Sequence, residues 1–204
     1  LPEIVETSLS NGLDVIAVRR PSLPLVSVIL TLPGGASAEP AEKSGLASLA
    51  ADLLQRGTTT RSRDDIADAL GRVGARLTAS CGADALYISA NALSTDLGLA
   101  MEILADVALN PTFPADALEQ LRERYAANLQ VELTNPSAVA DRALRAVVYG
   151  DHPYGRSPFP QTVRPISRDD VVEFWTMQTN PHRAALVVTG DIDPASVHAF
   201  AERY

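Results

Sequence analysis

The stretch Gly45–Thr58 constrains the fold more than any other. Leu46, Leu49, Ala50, Leu53 and Leu54 follow the spacing i, i+3, i+4, i+7, i+8, one apolar stripe of an amphipathic helix. Ser48, Ala51, Asp52 and Gln55 fall on the opposite face, and Gly57 stops the helix with Arg56 in its last turn. A helix with one greasy face must be laid against something, and the flanking sequence supplies strands. Ile4–Leu9 and Leu13–Arg19 surround Ser10-Asn11-Gly12, and Asn-Gly between alternating apolar residues is a strong hairpin signal. Leu25–Leu32, rich in Val, Ile and Thr, reads as a buried strand ended by Pro33-Gly34-Gly35.

The same alternation of elements continues. Ser62 caps a helix with Asp64 and Asp65 in its first turn, Gly74 closes it, and Leu77–Cys81 and Leu86–Ala92 read as two strands. Helices are expected from about Asp96 to Leu109, from Ala115 to Leu133, and from Asn135-Pro136 to about Tyr149. The loop Gly150–Gly155 precedes a helix capped by Ser167, a strand at Ala184–Thr189, and a last helix opened by Pro194. The expected fold is α+β, a mostly antiparallel sheet with helices packed on one face.

Several of these segments, in order, resemble the insulinase, pitrilysin and mitochondrial-processing-peptidase family of zinc metallopeptidases. Gly-Leu-Ala at residues 45–47 and Gly-Thr at 57–58 bracket the family's zinc helix. Asn11-Gly12-Leu13, the 74–79 segment Gly-Ala-Arg-Leu-Thr-Ala, the 150–155 loop and Val188-Thr189-Gly190-Asp191 extend the resemblance along nearly the whole chain. The family helix carries His-x-x-Glu-His. Aligned without gaps, the first His falls on Ser48, the Glu on Ala51 and the second His on Asp52. The third ligand, a Glu on a later helix, falls near Asn128 or Leu129, with Glu132 one turn away.

Catalytic zinc needs three protein ligands and an open position for water. Ser48 is a poor ligand, Asp52 alone cannot hold the ion tightly, and Ala51 can neither take nor give a proton. The resemblance therefore implies a non-catalytic member with no catalytic residue and no metal of its own, zinc being expected only in a partner subunit. The implied partners are an active zinc-peptidase homologue or a second half-domain, and an extended peptide. In the family the strand at Leu77, Thr78, Ala79 and Ser80 lies at a sheet edge and pairs with substrate backbone, so these four are the candidate peptide-binding residues. Thr78→Pro is then expected to remove a free backbone donor while leaving the core folded. Residues 1–204 correspond to the N-terminal half of a family chain, whose second homologous half is not in this sequence. Two other readings remain: a peptidase using displaced ligands such as Asp52 and Glu132, and a structural subunit of a larger complex.

Composition narrows the partners. The formal net charge of −8, with no dense Lys/Arg stripe, excludes a phosphate-neutralising nucleic-acid surface. No apolar run reaches the ~18–20 residues of a membrane span. Hydrophobic residues at 46% support a sizeable core, and a single cysteine, Cys81, excludes an intrachain disulfide. The chain opens at Leu1 rather than Met, consistent with a removed leader, and a periplasmic or otherwise exported location is the expectation. His152, His182 and His198 are far apart and form no ligand-spaced pair; His152 is expected to serve its turn and His198 to be exposed. Arg61, Arg63, Arg72 and Arg76 read as a solvated surface.

Overall fold

A computed structural model describes residues 3–204. Six strands, β1 (Glu3–Ser8), β2 (Asp14–Arg19), β3 (Leu25–Pro33), β4 (Arg76–Cys81), β5 (Ala85–Leu93) and β6 (Ala185–Gly190), form one sheet in the order β1-β2-β6-β3-β5-β4. Only β2 and β6 run parallel; the other neighbours are antiparallel. Eight helices accompany it: α1 (Leu46–Leu53), α2 (Arg63–Arg72), α3 (Leu97–Leu109), α4 (Ala115–Glu132), α5 (Pro136–Tyr149), α6 (Pro160–Val163), α7 (Arg168–Gln178) and α8 (Pro194–Arg203). The expected α+β architecture is the one observed.

The period-two pattern of the strands decides which face is covered. Register aligns Ala17, Val188, Val28, Ala90 and Leu77 in one row across the sheet, and all five are buried. The neighbouring row Ile16, Val187, Ile29, Ser89 and Thr78 points the other way and stays half-exposed or exposed. The helices pack on the first face. There Leu49, Leu53 and Leu54 meet the sheet and α7, and Ile103 and Val107 of α3 continue the same core.

Caps behave as the sequence implies. Ser62 and Ser167 each accept the backbone N–H three residues on, and Asp65 and Asp170 reciprocate, giving two capping boxes. Asn135 caps α5 with Pro136 at its first position. Phe113 has a φ of 46°, unusual for a bulky residue. Burial against Trp175, ring centroids 6.2 Å apart and edge-on, and the Arg168 Nε–H donating to Phe113 O at 2.8 Å hold it there.

Two expectations about surface residues are corrected. Arg61 is not a solvated surface group: its guanidinium donates to buried Asp106 at 2.8 Å and pairs with Glu102, and Thr58 and Thr60 complete the carboxylate's shell. A buried carboxylate needs such donors, which spacing alone does not reveal. His198 is half-buried and lies 3.1 Å from the Thr7 hydroxyl, because α8 folds back over β2 and comes beside β1.

Candidate functional site

Helix α1 enters through Gly45, whose φ of 105° favours glycine; a Cβ there would also approach Val163 to 2.8 Å. No side chain at the N-cap position satisfies the first-turn N–H groups. Glu39 does so from the preceding loop. Its two carboxylate oxygens accept from Gly45 N–H at 2.9 Å and Ala47 N–H at 2.7 Å, and the residue is only 6% exposed. Burial raises its carboxyl above the ordinary value, opposed by these two hydrogen bonds and by Arg156. Sequence reading missed Glu39, because six residues separate it from the end it caps.

The three positions of the motif part company on α1. Ser48 is half-buried and Asp52 is exposed, as a polar face requires. Ala51 is 2% exposed and belongs to the core, which corrects its assignment to the open face. Its methyl group is small enough to be absorbed under the helix, where a carboxylate would be stranded. Around Ser48 stand Cys81 at the end of β4 and Tyr125 of α4. Burial pushes the Cys81 thiol up to about 11, reinforced by the Glu39 charge and opposed by the Ser48 hydroxyl. Burial also raises the Tyr125 phenol, which Ser48 again opposes. Both groups are therefore protonated at neutral pH, and Glu39 is committed to backbone donors. Nothing beside Ser48 can take its proton, so it is not an activated nucleophile.

Asp52 faces Arg124 of α4 and Arg56. Although much of the residue is exposed, partial desolvation raises its carboxyl, with Arg124 and then Arg56 opposing. On α4, Leu129 is 3% exposed and buried in the core, while Asn128 points to solvent. Glu132 pairs with Arg142 of α5 at 3.1 Å, on the wall of a 260 Å³ cleft between α4 and α5. Among the described residues, no three His, Cys, Asp or Glu side chains converge so as to hold a metal. A zinc ion does not fit this donor set: the ligand positions hold a neutral hydroxyl, one arginine-facing carboxylate and, on α4, a solvent-facing amide or a buried leucine, and the base position holds a methyl.

The four candidate peptide-binding residues all lie on β4, which among the described residues pairs only with β5 and so forms one edge of the sheet. Leu77 is buried and Ala79 half-buried on the core side, while Thr78 and Ser80 are exposed on the other. The phase of the ladder fixes which backbone groups are free. Gly82 N–H donates to Ala85 O at 2.8 Å, and antiparallel pairs alternate between bonded and non-bonded. Thr78 and Ser80 therefore turn their backbone groups inward to β5, and Leu77, Ala79 and Cys81 turn theirs to the open edge. This corrects the role expected of Thr78: Thr78→Pro would break the internal ladder, and Ala79→Pro is the change that removes a free donor. A hydrophobic pattern reports faces, not hydrogen-bonding phase.

His152 serves its turn as expected. Its Nδ1 accepts from Tyr154 N–H at 3.2 Å, and the rings lie edge-on at 4.6 Å. Tyr154 in turn donates to Asp84 at the β4–β5 turn, tying this loop to the end of the edge strand. His182 is exposed beside Gly12, and no described metal cluster includes a histidine. Among the described residues no helix is long and apolar enough to cross a membrane.

The sequence pattern of the Insulinase family (Peptidase family M16) matches residues 14–160. The chain is 33% identical over 190 residues to an uncharacterized zinc protease of Mycobacterium tuberculosis, covering 92% of this chain and 43% of that protein. It is 27% identical to a probable mitochondrial-processing peptidase subunit beta of Schizosaccharomyces pombe, covering 100% of this chain and 45% of that one. The fold matches a peptidase M16 inactive domain from Pseudomonas fluorescens with a TM-score of 0.92 at 24% identity, over 98% of this chain and 50% of the other. A protease from Helicobacter pylori superposes with a TM-score of 0.92 at 21% identity, over 100% of this chain and 50% of the other. The chain spans about half the length of the relatives it matches.

Proposed function

This chain belongs to the insulinase family of peptidases, and from that membership we propose that it is a member that holds peptide without cutting it. The observation that carries the reading is the state of α1: Ser48, Ala51 and Asp52 stand where ligands and base are needed, and α4 offers solvent-facing Asn128 and buried Leu129 in place of a third ligand. Loss of zinc chemistry does not touch the edge of β4. Backbone N–H and C=O groups of Leu77, Ala79 and Cys81 suffice to add an extended strand. In this reading a zinc-bearing homologue supplies hydrolysis, and this chain forms part of the chamber and one rail of the peptide groove. The Pseudomonas fluorescens domain described as inactive lends support by its fold. The displaced-ligand alternative is weaker, since Glu132 is engaged by Arg142 and Asp52 faces Arg124.

The test is calorimetry with an extended peptide on wild type, Ala79→Pro and Thr78→Pro, with matched thermal melts. The reading expects Ala79→Pro to weaken binding with little change in melting, and Thr78→Pro to lower the melt by unpairing β4. Equal affinity in wild type and Ala79→Pro, or no binding by wild type with its zinc-bearing partner present, would contradict it.

A further inference from the structure

The polar line that α1 leaves uncovered runs beside the free edge of β4. Ser48, at one end of that line, meets Cys81 of β4 on one side and Tyr125 of α4 on the other. Both α1 and the turn that follows it, Leu54–Arg56, pack against β4, so the helix runs back along the strand from Cys81 toward Leu77. From Ser48 to Arg56 the helix rises about 12 Å, and from Cys81 to Leu77 the strand spans about 13 Å, which sets Arg56 level with Leu77. The trough between α4 and the open edge of β4 therefore has two chemically different ends. At the Cys81 end the Ser48 hydroxyl, the thiol and the Tyr125 phenol are neutral, and the nearby carboxylate of Glu39 is taken up by backbone N–H groups. At the Leu77 end stand half-buried Arg56 and Arg124 of α4, with Asp52 as the neighbouring carboxylate.

The cationic end is short of anions. The ion pairs among the described residues employ Lys43, Arg61, Arg122, Arg142 and Arg164, and Arg56 and Arg124 take part in none of them. Partial desolvation lowers the Arg56 guanidinium from its ordinary value; Arg63 of α2 and then Arg124 add to the effect, and Asp52 opposes it. Three guanidiniums thus share a single carboxylate, in a chain whose formal net charge is −8. The field of that overall charge is screened beyond ~8 Å at physiological salt, so the local cations decide what a group bound in the trough feels. Resting on the peptide-holding reading, we propose that Arg56 and Arg124 form a carboxylate-binding subsite of the groove, which selects extended peptides carrying an acidic side chain opposite Leu77. Side chains directly opposite one another on paired strands share a face. Leu77, Ala79 and Cys81 turn theirs toward the helices. The peptide residue paired with Leu77 then points at Arg56, and the one paired with Cys81 points into the neutral end. A carboxylate accepts charge-assisted hydrogen bonds from a planar guanidinium, a match that an ammonium group cannot make. Free backbone groups at Leu77, Ala79 and Cys81, with unpaired cations beside them, together specify the occupant: an extended strand bearing negative charge.

Calorimetry with blocked peptides of about seven alternating Val and Thr residues, the central Val replaced by Glu, Gln or Lys, tests it. Wild type should bind the Glu peptide at least ~5-fold more tightly than the Gln peptide, and the Lys peptide more weakly than either. The preference should shrink as NaCl rises from about 50 mM to about 500 mM. Arg56→Gln combined with Arg124→Gln should bind the Glu and Gln peptides equally, and Asp52→Asn should widen the preference by removing the competing carboxylate. Arg72→Gln, at an exposed arginine in the last turn of α2, should keep the wild-type preference. Equal wild-type affinity for the Glu and Gln peptides, or a Glu preference that persists in the double variant, overturns the inference. If the double variant fails to fold, Arg124→Gln alone, at an exposed position, decides. A reduced Glu preference then supports the subsite, and an unchanged one overturns it. Peptides bound alike, and all weakened by Ala79→Pro, remove the subsite and leave peptide holding intact; no binding of any peptide removes both.

Discussion

Removing the Glu39 carboxylate should loosen the helix on which the degenerate motif sits. In Glu39→Ala the N–H groups of Gly45 and Ala47 lose their acceptors inside a site that is 6% exposed. Each buried donor left unsatisfied costs about 1–3 kcal/mol. Loss of an anion at the positive end of a helix costs about 0.3–1 kcal/mol more. Release of a desolvated charge offsets part of this, leaving a net loss of about 3 kcal/mol. For a chain of this size that is a fall of about 6–12 °C in Tm. Glu39→Gln keeps one acceptor and should lose about 1–2 kcal/mol. The pH dependence has a definite sign. Burial raises the folded-state pKa of Glu39 above its ordinary 4.5, so the native state binds the proton more tightly than the unfolded chain. The stability this provides is fully present below 4.5 and is lost as pH rises through the folded pKa. Glu39→Gln has no such titration, so wild type minus variant should shrink as pH rises through that window. Urea unfolding of the three proteins at several pH values between about 4 and 7 measures both effects. A loss below about 0.5 kcal/mol in Glu39→Ala would refute the capping role, and a wild type minus Glu39→Gln difference that grows with pH would contradict the raised carboxyl.

Three further outcomes follow from the packing. Arg61→Ala leaves Asp106 buried without its cation and should cost about 3 kcal/mol, read from a denaturant melt. Trp175→Phe removes the indole N–H donating to Ala108 O at 3.1 Å and should cost about 1 kcal/mol by the same measurement. Cys81, with its thiol pushed up to about 11 from 9.0, should react with iodoacetamide near pH 8 about 100-fold more slowly than an unperturbed thiol, and denaturation should abolish the difference.

Local signals were legible because they need only neighbours in sequence. The Asn11-Gly12 hairpin, the Ser62 and Ser167 caps and the helix breaks at Asn110-Pro111 and Asn135-Pro136 all stand where residue chemistry puts them. What depends on distant partners was not legible. β6 slots between β2 and β3, parallel to one and antiparallel to the other, and nothing in Ala185–Gly190 specifies those neighbours. Ala51 reads as polar-face by angle yet is buried, because α1 is packed from more than one side, by the sheet, α4 and α7. Arg61 reads as surface until Asp106, in α3, is brought under it. The rotation of α5 about its axis depends on Arg142 finding Glu132, Pro158 and Phe159, all of which lie outside the helix.

The motif itself was readable by position, and the structure adds why restoring it is hard. Ser48→His, Ala51→Glu, Asp52→His would place a carboxylate at a site 2% exposed and still leave non-ligating Asn128 and Leu129 in place of a third ligand. That variant should lose stability and show no robust peptidase turnover.

The most direct test of a peptide-holding member without its own catalytic metal is zinc stoichiometry of the purified chain after exhaustive dialysis, by elemental mass spectrometry. The account predicts zinc far below one ion per chain, unchanged in Asp52→Ala. About one zinc per chain, lost in Asp52→Ala, would contradict it.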